Sequence, residues 1–281
     1  MLMPIACCRL PRLKLVSLSD IFNFIKGDTP LLVSLPHSGE SLGPFADTMT
    51  VAAKRIADTD WHLPRLYGFL GEMGASVLAA RHSRYVIDLN RDPTGKSLYP
   101  GQNVTELCPT TTFAGDAIYR EGAGPSEEEV EARVAKYWRP YHDALKAELA
   151  RLVARHGYAL LWETHSIASR VPRFFEGRLP DFNLGTNGGK SCGAGLGESL
   201  LASLGPESGY SGVLNGRFKG GYITRHYGNP AGGVHAVQLE LSQITYMDES
   251  HPFSYHAEKA DQVALPIRSM IERMLDYKPV S

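Results

Sequence analysis

The chain of 281 residues is 43% apolar and 21% charged, with a formal net charge of −1. This is the composition of an ordinary globular protein, long enough to bury a core without help from a disulfide or a structural metal. A charge so close to zero excludes a global field that attracts nucleic acid or an acidic membrane. A small anionic substrate would therefore have to be held by local arginines.

Cys7, Cys8, Cys108 and Cys192 form no CxxC pair and read as free thiols of a reducing compartment. The opening MLMPIACC lacks the basic segment and apolar run of a secretory signal. No stretch reaches the ~18 apolar residues of a membrane span. The expectation is a cytoplasmic protein with no membrane or nucleic-acid partner.

In chain order, LLVSL at 31–35 is a short buried-strand candidate ending at Pro36. Helical spacing follows over 45–57 and 61–73, and strand candidates over 75–80 and 84–89. A Pro/Gly/Thr-rich stretch runs from about 91 to 125, and a helix opening on Pro-Ser-Glu-Glu-Glu, in the manner of a capping box, covers 126–155. YALLWE at 158–163, residues 212–215 and VHAVQLEL at 234–241 are further strands, and an amphipathic helix covers about 254–275. Alternating strands and helices predict an α/β protein, a three-layer α/β/α sandwich with a mixed, largely parallel sheet in a single domain over 1–281. The long loops near 91–125 and 166–192 are expected to cover a site.

Chemistry concentrates at the ends of the strand candidates. HSGE, His37 to Glu40, directly follows LLVSL, and an H-x-x-E spacing puts two metal-binding side chains on one side of a turn or helix start. With ten histidines in the chain, a turn histidine beside a solvated glutamate is the alternative. His165 ends WETH, and Asn90-Arg91 follows RYVIDL. Glu240 lies within an apolar run, where a carboxylate is costly unless paired or bound to a metal. Ligands in open α/β sheets bind at the carboxyl ends of strands, so one crevice can gather all of these groups. Asp60 and His62 in DTDWH either line a pocket, supply an outer partner to a ligating histidine, or cap and pack a helix. TGKS at 94–97 and GGKS at 188–191 match the tail of a phosphate-binding loop. The motif's first glycine is replaced by Asn90 and Leu184, and both segments read as loops. Tyr137, Trp138 and Tyr141 are spaced as helix-packing groups.

LPHSGE, DTDWHLPRLYGF, RYVIDLNRDP, WETHSI, LPDFNLGTNGG, GGYITRHYG and QLELSQITYMDE together resemble the N-formylglutamate amidohydrolases, relatives of the zinc carboxypeptidases and aspartoacylases. The resemblance implies a carboxypeptidase-like fold and hydrolysis of N-formyl-L-glutamate at the end of histidine degradation. It implies one zinc ion, with cobalt or manganese as alternatives, on His37, Glu40 and His165. It further implies that Asn90 and Arg91 grip the substrate carboxylate, with an arginine aiding the oxyanion, and that Glu240 is the general base. A second carboxylate needs a second cation, for which Arg225 is the candidate, and His62 is expected at the pocket wall. The alternatives are a hydrolase of another N-acyl amino acid and a non-catalytic binder on the same scaffold.

Overall fold

The computed structural model describes residues 15–18, 20–96 and 105–279. Cys7, Cys8 and the last residue of TGKS lie outside them. The strands are β1 (Leu15–Leu18), β2 (Phe22–Ile25), β3 (Leu31–Leu35), β4 (Ser76–Ala80), β5 (Ala159–Ile167), β6 (Phe182–Gly185), β7 (Gly212–Leu214) and β8 (Val234–Ser242). They form a mixed eight-stranded sheet in the order β1-β2-β4-β3-β5-β8-β6-β7. Its centre, β4-β3-β5-β8, is parallel. β2 and β6 each run antiparallel to the inner strand beside them. β5 is buried along its whole length; it opens on the apolar run Ala159–Trp162 and then carries Glu163, Thr164, His165 and Ser166.

The helices are α1 (Leu63–Leu66), α2 (Glu127–Arg133), α3 (Arg139–His156), α4 (Leu196–Ala202), α5 (Tyr222–Tyr227) and α6 (Ala257–Asp276). α1, α4 and α6 cover one face of the sheet around Trp162, Leu184, Leu239 and Ile271. α3 and α5 cover the other around Leu32, Leu161, Leu145 and Ile223. The expected three-layer α/β/α arrangement is therefore present. The expected cap is also found, since the Ser126 side chain accepts from the Glu129 amide at 3.2 Å and starts α2. Tyr137, Trp138 and Tyr141 are buried packing groups, as their spacing predicts.

Three local expectations are corrected. Residues 84–89 form no strand: β4 already has β2 and β3 as neighbours, so this apolar run turns back and buries Tyr85, Val86, Ile87 and Leu89 as a loop. The helical stretches at 45–57 and 61–73 are cut into short pieces, with left-handed residues at Ile56 (φ 42°) and His62 (φ 60°) and a bridge from Met49 to Tyr119. The presumed loop at 166–192 contains β6. α4 and α5 lie in glycine-rich segments whose short apolar runs carry too little periodicity to announce them.

α3 also anchors the loop that carries Asp88 and Asn90. His142 stacks on Trp138 with ring centroids 3.6 Å apart, donates from Nε2 to the Leu89 carbonyl at 2.8 Å, and accepts from the Tyr227 hydroxyl at 2.9 Å. Burial pushes its pKa down to about 3, so it is neutral in the folded chain. The unfolded chain binds a proton below pH ~6.5 that the folded chain refuses until far lower, so stability is lost as pH falls from about 6.5 toward 3. This one group contributes a slope on the order of 1.4 kcal/mol per pH unit in that window. His142→Gln is expected to flatten that loss relative to the parent, as read from urea midpoints at pH 7 and pH 4.5.

Candidate metal centre

Strand parity assembles the site. Side chains two apart on a strand share a face, so Glu163 and His165 point the same way from β5. The parallel register sets Gln238 of β8 beside Glu163 and Glu240 beside His165. β3 ends at Leu35 one strand away, and His37 follows it into the same space.

His37, Asp60 and His165 are all buried, with one potential ligand atom from each lying within 4.8 Å of the other two. The His165 Nδ1 is 3.0 Å from Asp60 Oδ2, the same oxygen that lies 3.8 Å from the His37 Nδ1. The opposite ring nitrogens are committed elsewhere. His37 Nε2 donates to Asp88 Oδ1 at 2.7 Å, and His165 Nε2 donates to Glu163 Oε1 at 2.7 Å. Carboxylates behind both rings hold each Nε2–H and so turn each Nδ1 inward, the orientation that histidines binding metals require. The buried His37 Nδ1 has no hydrogen-bond partner. An orphaned imidazole nitrogen facing a carboxylate and a second imidazole nitrogen is a donor set that suits a divalent cation with an open position.

The supporting carboxylates are themselves held. Glu163 accepts at its other oxygen from the backbone amide of Thr224 at 2.9 Å and from the Thr224 hydroxyl. Asp88 accepts from Arg84 at 2.7 Å and from the Asn90 amide at 2.9 Å. Burial alone would raise Asp88, but Arg91, His37 and Arg84 outweigh it and hold the carboxyl well below the usual range. Burial, aided by Arg84, lowers His37 despite Asp88 and Asp60. Burial would also lower His165, but Glu163 and Asp60 overcome it and lift the ring to about 10, so without a cation its Nδ1 holds a proton donated to Asp60 that a bound metal ion would displace. Glu240 is pushed up by burial and by Asp60 and Glu163, against the pull of His165 and Arg84. The last two shifts have different main causes: neighbouring carboxylates raise His165, whereas burial raises Glu240.

A cavity of about 650 Å³ opens over this centre and is lined by His37, Asn90, Arg91, His165, Gln238 and Glu240, among others. Its wall requires a glycine at 221, because a Cβ there would sit 2.2 Å from the Asn90 side-chain nitrogen. The Asn90 carboxamide is 3.0 Å from the His165 Nε2 and also accepts from the Ile223 amide at 2.8 Å. Arg91 spends one N–H on each of Thr105 O, Thr105 Oγ1 and Asn90 O.

Three expected site residues stand elsewhere. Glu40 is exposed and lines a separate cavity, so Asp60 takes the place in the group that the H-x-x-E spacing assigned to it. Residues 38–41 form no helix, with Ser41 bridged to His82 and Gly39 pressed so close that a Cβ would lie 2.4 Å from the His82 carbonyl oxygen. An i, i+3 pair therefore does not share a face there. His62 is not in the cavity: its Nε2 donates to the Phe253 carbonyl at 2.7 Å and its ring packs on Trp61 and Tyr255. Arg225 is also absent from the lining, with its Nε donating to the Gly220 carbonyl at 2.7 Å. Glu163, Asp88, Gln238 and Arg217 also belong to the site, outside any spacing motif. The cost of burying a carboxylate, which drew attention to Glu240, applies equally to Glu163 and Asp88.

Residues 29–247 match the family model described as N-formylglutamate amidohydrolase. The chain is 54% identical over 261 residues to an N-formylglutamate deformylase of Pseudomonas aeruginosa, covering 92% of this chain and 98% of that one. It is 48% identical over 261 residues to an N-formylglutamate deformylase of Pseudomonas putida, covering 92% and 97%. The solved structure of an N-formylglutamate amidohydrolase from Ralstonia eutropha JMP134 superposes with a TM-score of 0.75 at 26% identity, over 90% of this chain and 97% of that one.

Replacing Asp60 with Ala is expected to strip divalent metal from the purified protein on dialysis, whereas Glu40→Ala should retain it, both measured by elemental analysis. Glu163→Gln should weaken metal affinity by about ten- to a hundredfold, because the carboxylate that aims His165 is lost.

Proposed function

The chain belongs to the N-formylglutamate amidohydrolase family, and we propose that it hydrolyses N-formyl-L-glutamate to L-glutamate and formate, with one zinc ion held by His37, Asp60 and His165. One observation carries the catalytic part of this reading. Asp60, Asp88 and Glu163 are each held by close bonds within the protein, whereas the Glu240 carboxylate faces the cavity beside His165 and, among the described residues, accepts one hydrogen bond, from Gln238 at 3.5 Å. A buried carboxylate left uncommitted at the edge of a metal-binding group is placed to move a proton.

When bound, a divalent ion at this group supplies Lewis acidity, bringing the pKa of water toward neutrality and polarising the formyl oxygen. Glu240 takes a proton from the attacking water as its oxygen bonds to the formyl carbon, then returns it to the nitrogen as the C–N bond breaks. The environment that pushes the Glu240 carboxyl upward suits a group that must both accept and return a proton near neutral pH. Asn90 and Arg91 are assigned to the substrate's α-carboxylate, and Arg91 to charge that develops on the former carbonyl oxygen. Support for this placement comes from Asn90 touching His165, beside the reacting centre. Cobalt and manganese are alternative ions for the same donors. We take the reaction as the last step of histidine degradation in the cytoplasm, on the family resemblance. Among the described residues no helix is long and apolar enough to cross a membrane.

Purified protein is expected to release formate from N-formyl-L-glutamate, to lose that activity on chelation and to regain it with zinc. Glu240→Gln should retain the metal and lower kcat by a factor on the order of 10² or more. Undiminished turnover in that variant would remove Glu240 from the reaction.

A further inference from the structure

N-Formylglutamate carries two carboxylates, and the cavity offers its cations unequally. Those lining it among the described residues are Arg84, Arg91, Lys96 and Arg217. Arg84 pairs with Asp88 at 2.7 Å and lies 3.9 Å from Asp60, so its charge is already answered inside the protein. Arg91 lies 3.8 Å from Asp88 and is spread over Thr105 and Asn90. Lys96 is exposed. Arg217 is half-buried and, among the described residues, makes no ion pair.

The Arg217 side chain is nevertheless held in place. Its Nε donates to the Phe174 carbonyl at 2.8 Å, and its guanidinium carbon lies 5.5 Å from the centroid of the Phe218 ring. Phe174 and Phe218 both line the cavity and belong to a small apolar cluster with Ile167, Val171 and Leu179. One of the five guanidinium N–H groups is used for anchoring, and the planar N–H pairs at the far end are left for a ligand. An aromatic wall suits methylenes, and it also excludes water, which strengthens a charge pair formed beside it. The Asn90–Arg91 pair, adjoining His165, serves a carboxylate attached next to the scissile nitrogen. Arg217 comes from a different part of the chain, the β7–α5 connection, and is anchored to the β5–β6 connection.

We propose that Arg217, anchored by the Phe174 carbonyl against Phe218, receives the side-chain carboxylate of the substrate and sets the preference for an acidic N-formyl amino acid. This assignment rests on the amidohydrolase reading of the same cavity.

The test compares N-formyl-L-glutamate with N-formyl-L-glutamine, which has nearly the same shape and lacks the charge, in the parent protein, Arg217→Met and Arg217→Lys. In Arg217→Met, KM for formylglutamate should rise about ten- to a hundredfold, the worth of a charge-assisted hydrogen-bonded pair, with kcat within a few-fold of the parent. The kinetics of formylglutamine should barely change. Arg217→Lys should fall between, since it keeps the charge and loses the two-pronged geometry. Equal losses on both substrates, or an unchanged preference, would overturn the assignment. Calorimetric binding of the same two compounds to the metal-loaded protein separates this idea from the reaction itself. If the parent binds formylglutamate with a preference that Arg217→Met abolishes but releases no formate, the reaction is wrong and the assignment stands. If the parent releases formate and Arg217→Met keeps the parent's binding preference, the reaction stands and the assignment is wrong.

Discussion

Two buried imidazoles can aim lone pairs at one point only if their opposite nitrogens are already committed, and the rest of this centre depends on that commitment. Asp88 holds His37 from behind and Glu163 holds His165. Each of these carboxylates is held in turn, Asp88 by Arg84 and the Asn90 amide, Glu163 by Thr224 at the start of α5. Burying charges in this way is costly unless every lone pair is answered. The packing of α3 and α5 over the sheet is therefore tied to the orientation of the two rings. His142, bonded to Leu89 and Tyr227, ties α3 to the same loop that carries Asp88 and Asn90.

The balance of charge explains much of the centre's electrostatic character. Asp60, Asp88, Glu163 and Glu240 are buried within one neighbourhood, and Arg84 and Arg91 answer only part of their charge. The uncompensated remainder raises His165, which holds a proton it would ordinarily lose, while burial is the main cause that raises Glu240. A divalent cation among His37, Asp60 and His165 would relieve the same imbalance.

Around this rigid floor, the cavity wall is built from loops with bonds of their own. Arg173 donates to Thr111 and to the Thr112 carbonyl, Ser169 donates from its amide and hydroxyl to Glu249, and Arg91 closes on Thr105. Long connections in a compact protein need such anchors, because their backbone groups are not paired in a ladder. The result places chemistry on strand ends and leaves recognition to loop residues such as Arg217 and Phe218.

Strand composition alone carried the central sheet, because buried parallel strands are rich in apolar residues: LLVSL, ALLWE and VHAVQLEL lie in β3, β5 and β8. The gathering of His37, His165, Asn90, Arg91 and Glu240 at one cavity was legible for a related reason, since strand carboxyl ends in such a sheet face a common crevice. What the sequence could not decide were the contacts made by side chains far apart in the chain. Spacing favoured Glu40 as the partner of His37, but Gly39 runs flat against His82 and turns Glu40 outward, while the backbone of Asp60 bonds to the His37 carbonyl and brings its own carboxylate inward. Arg225 and His62 looked like cavity residues from neighbouring motifs, yet local hydrogen bonds take them elsewhere, and Arg217 lies in a segment with no periodic signal. Periodicity fixes which face a strand or helix buries. Which loop side chain meets which strand end depends on backbone turns and close approaches that exist only once the layers have packed.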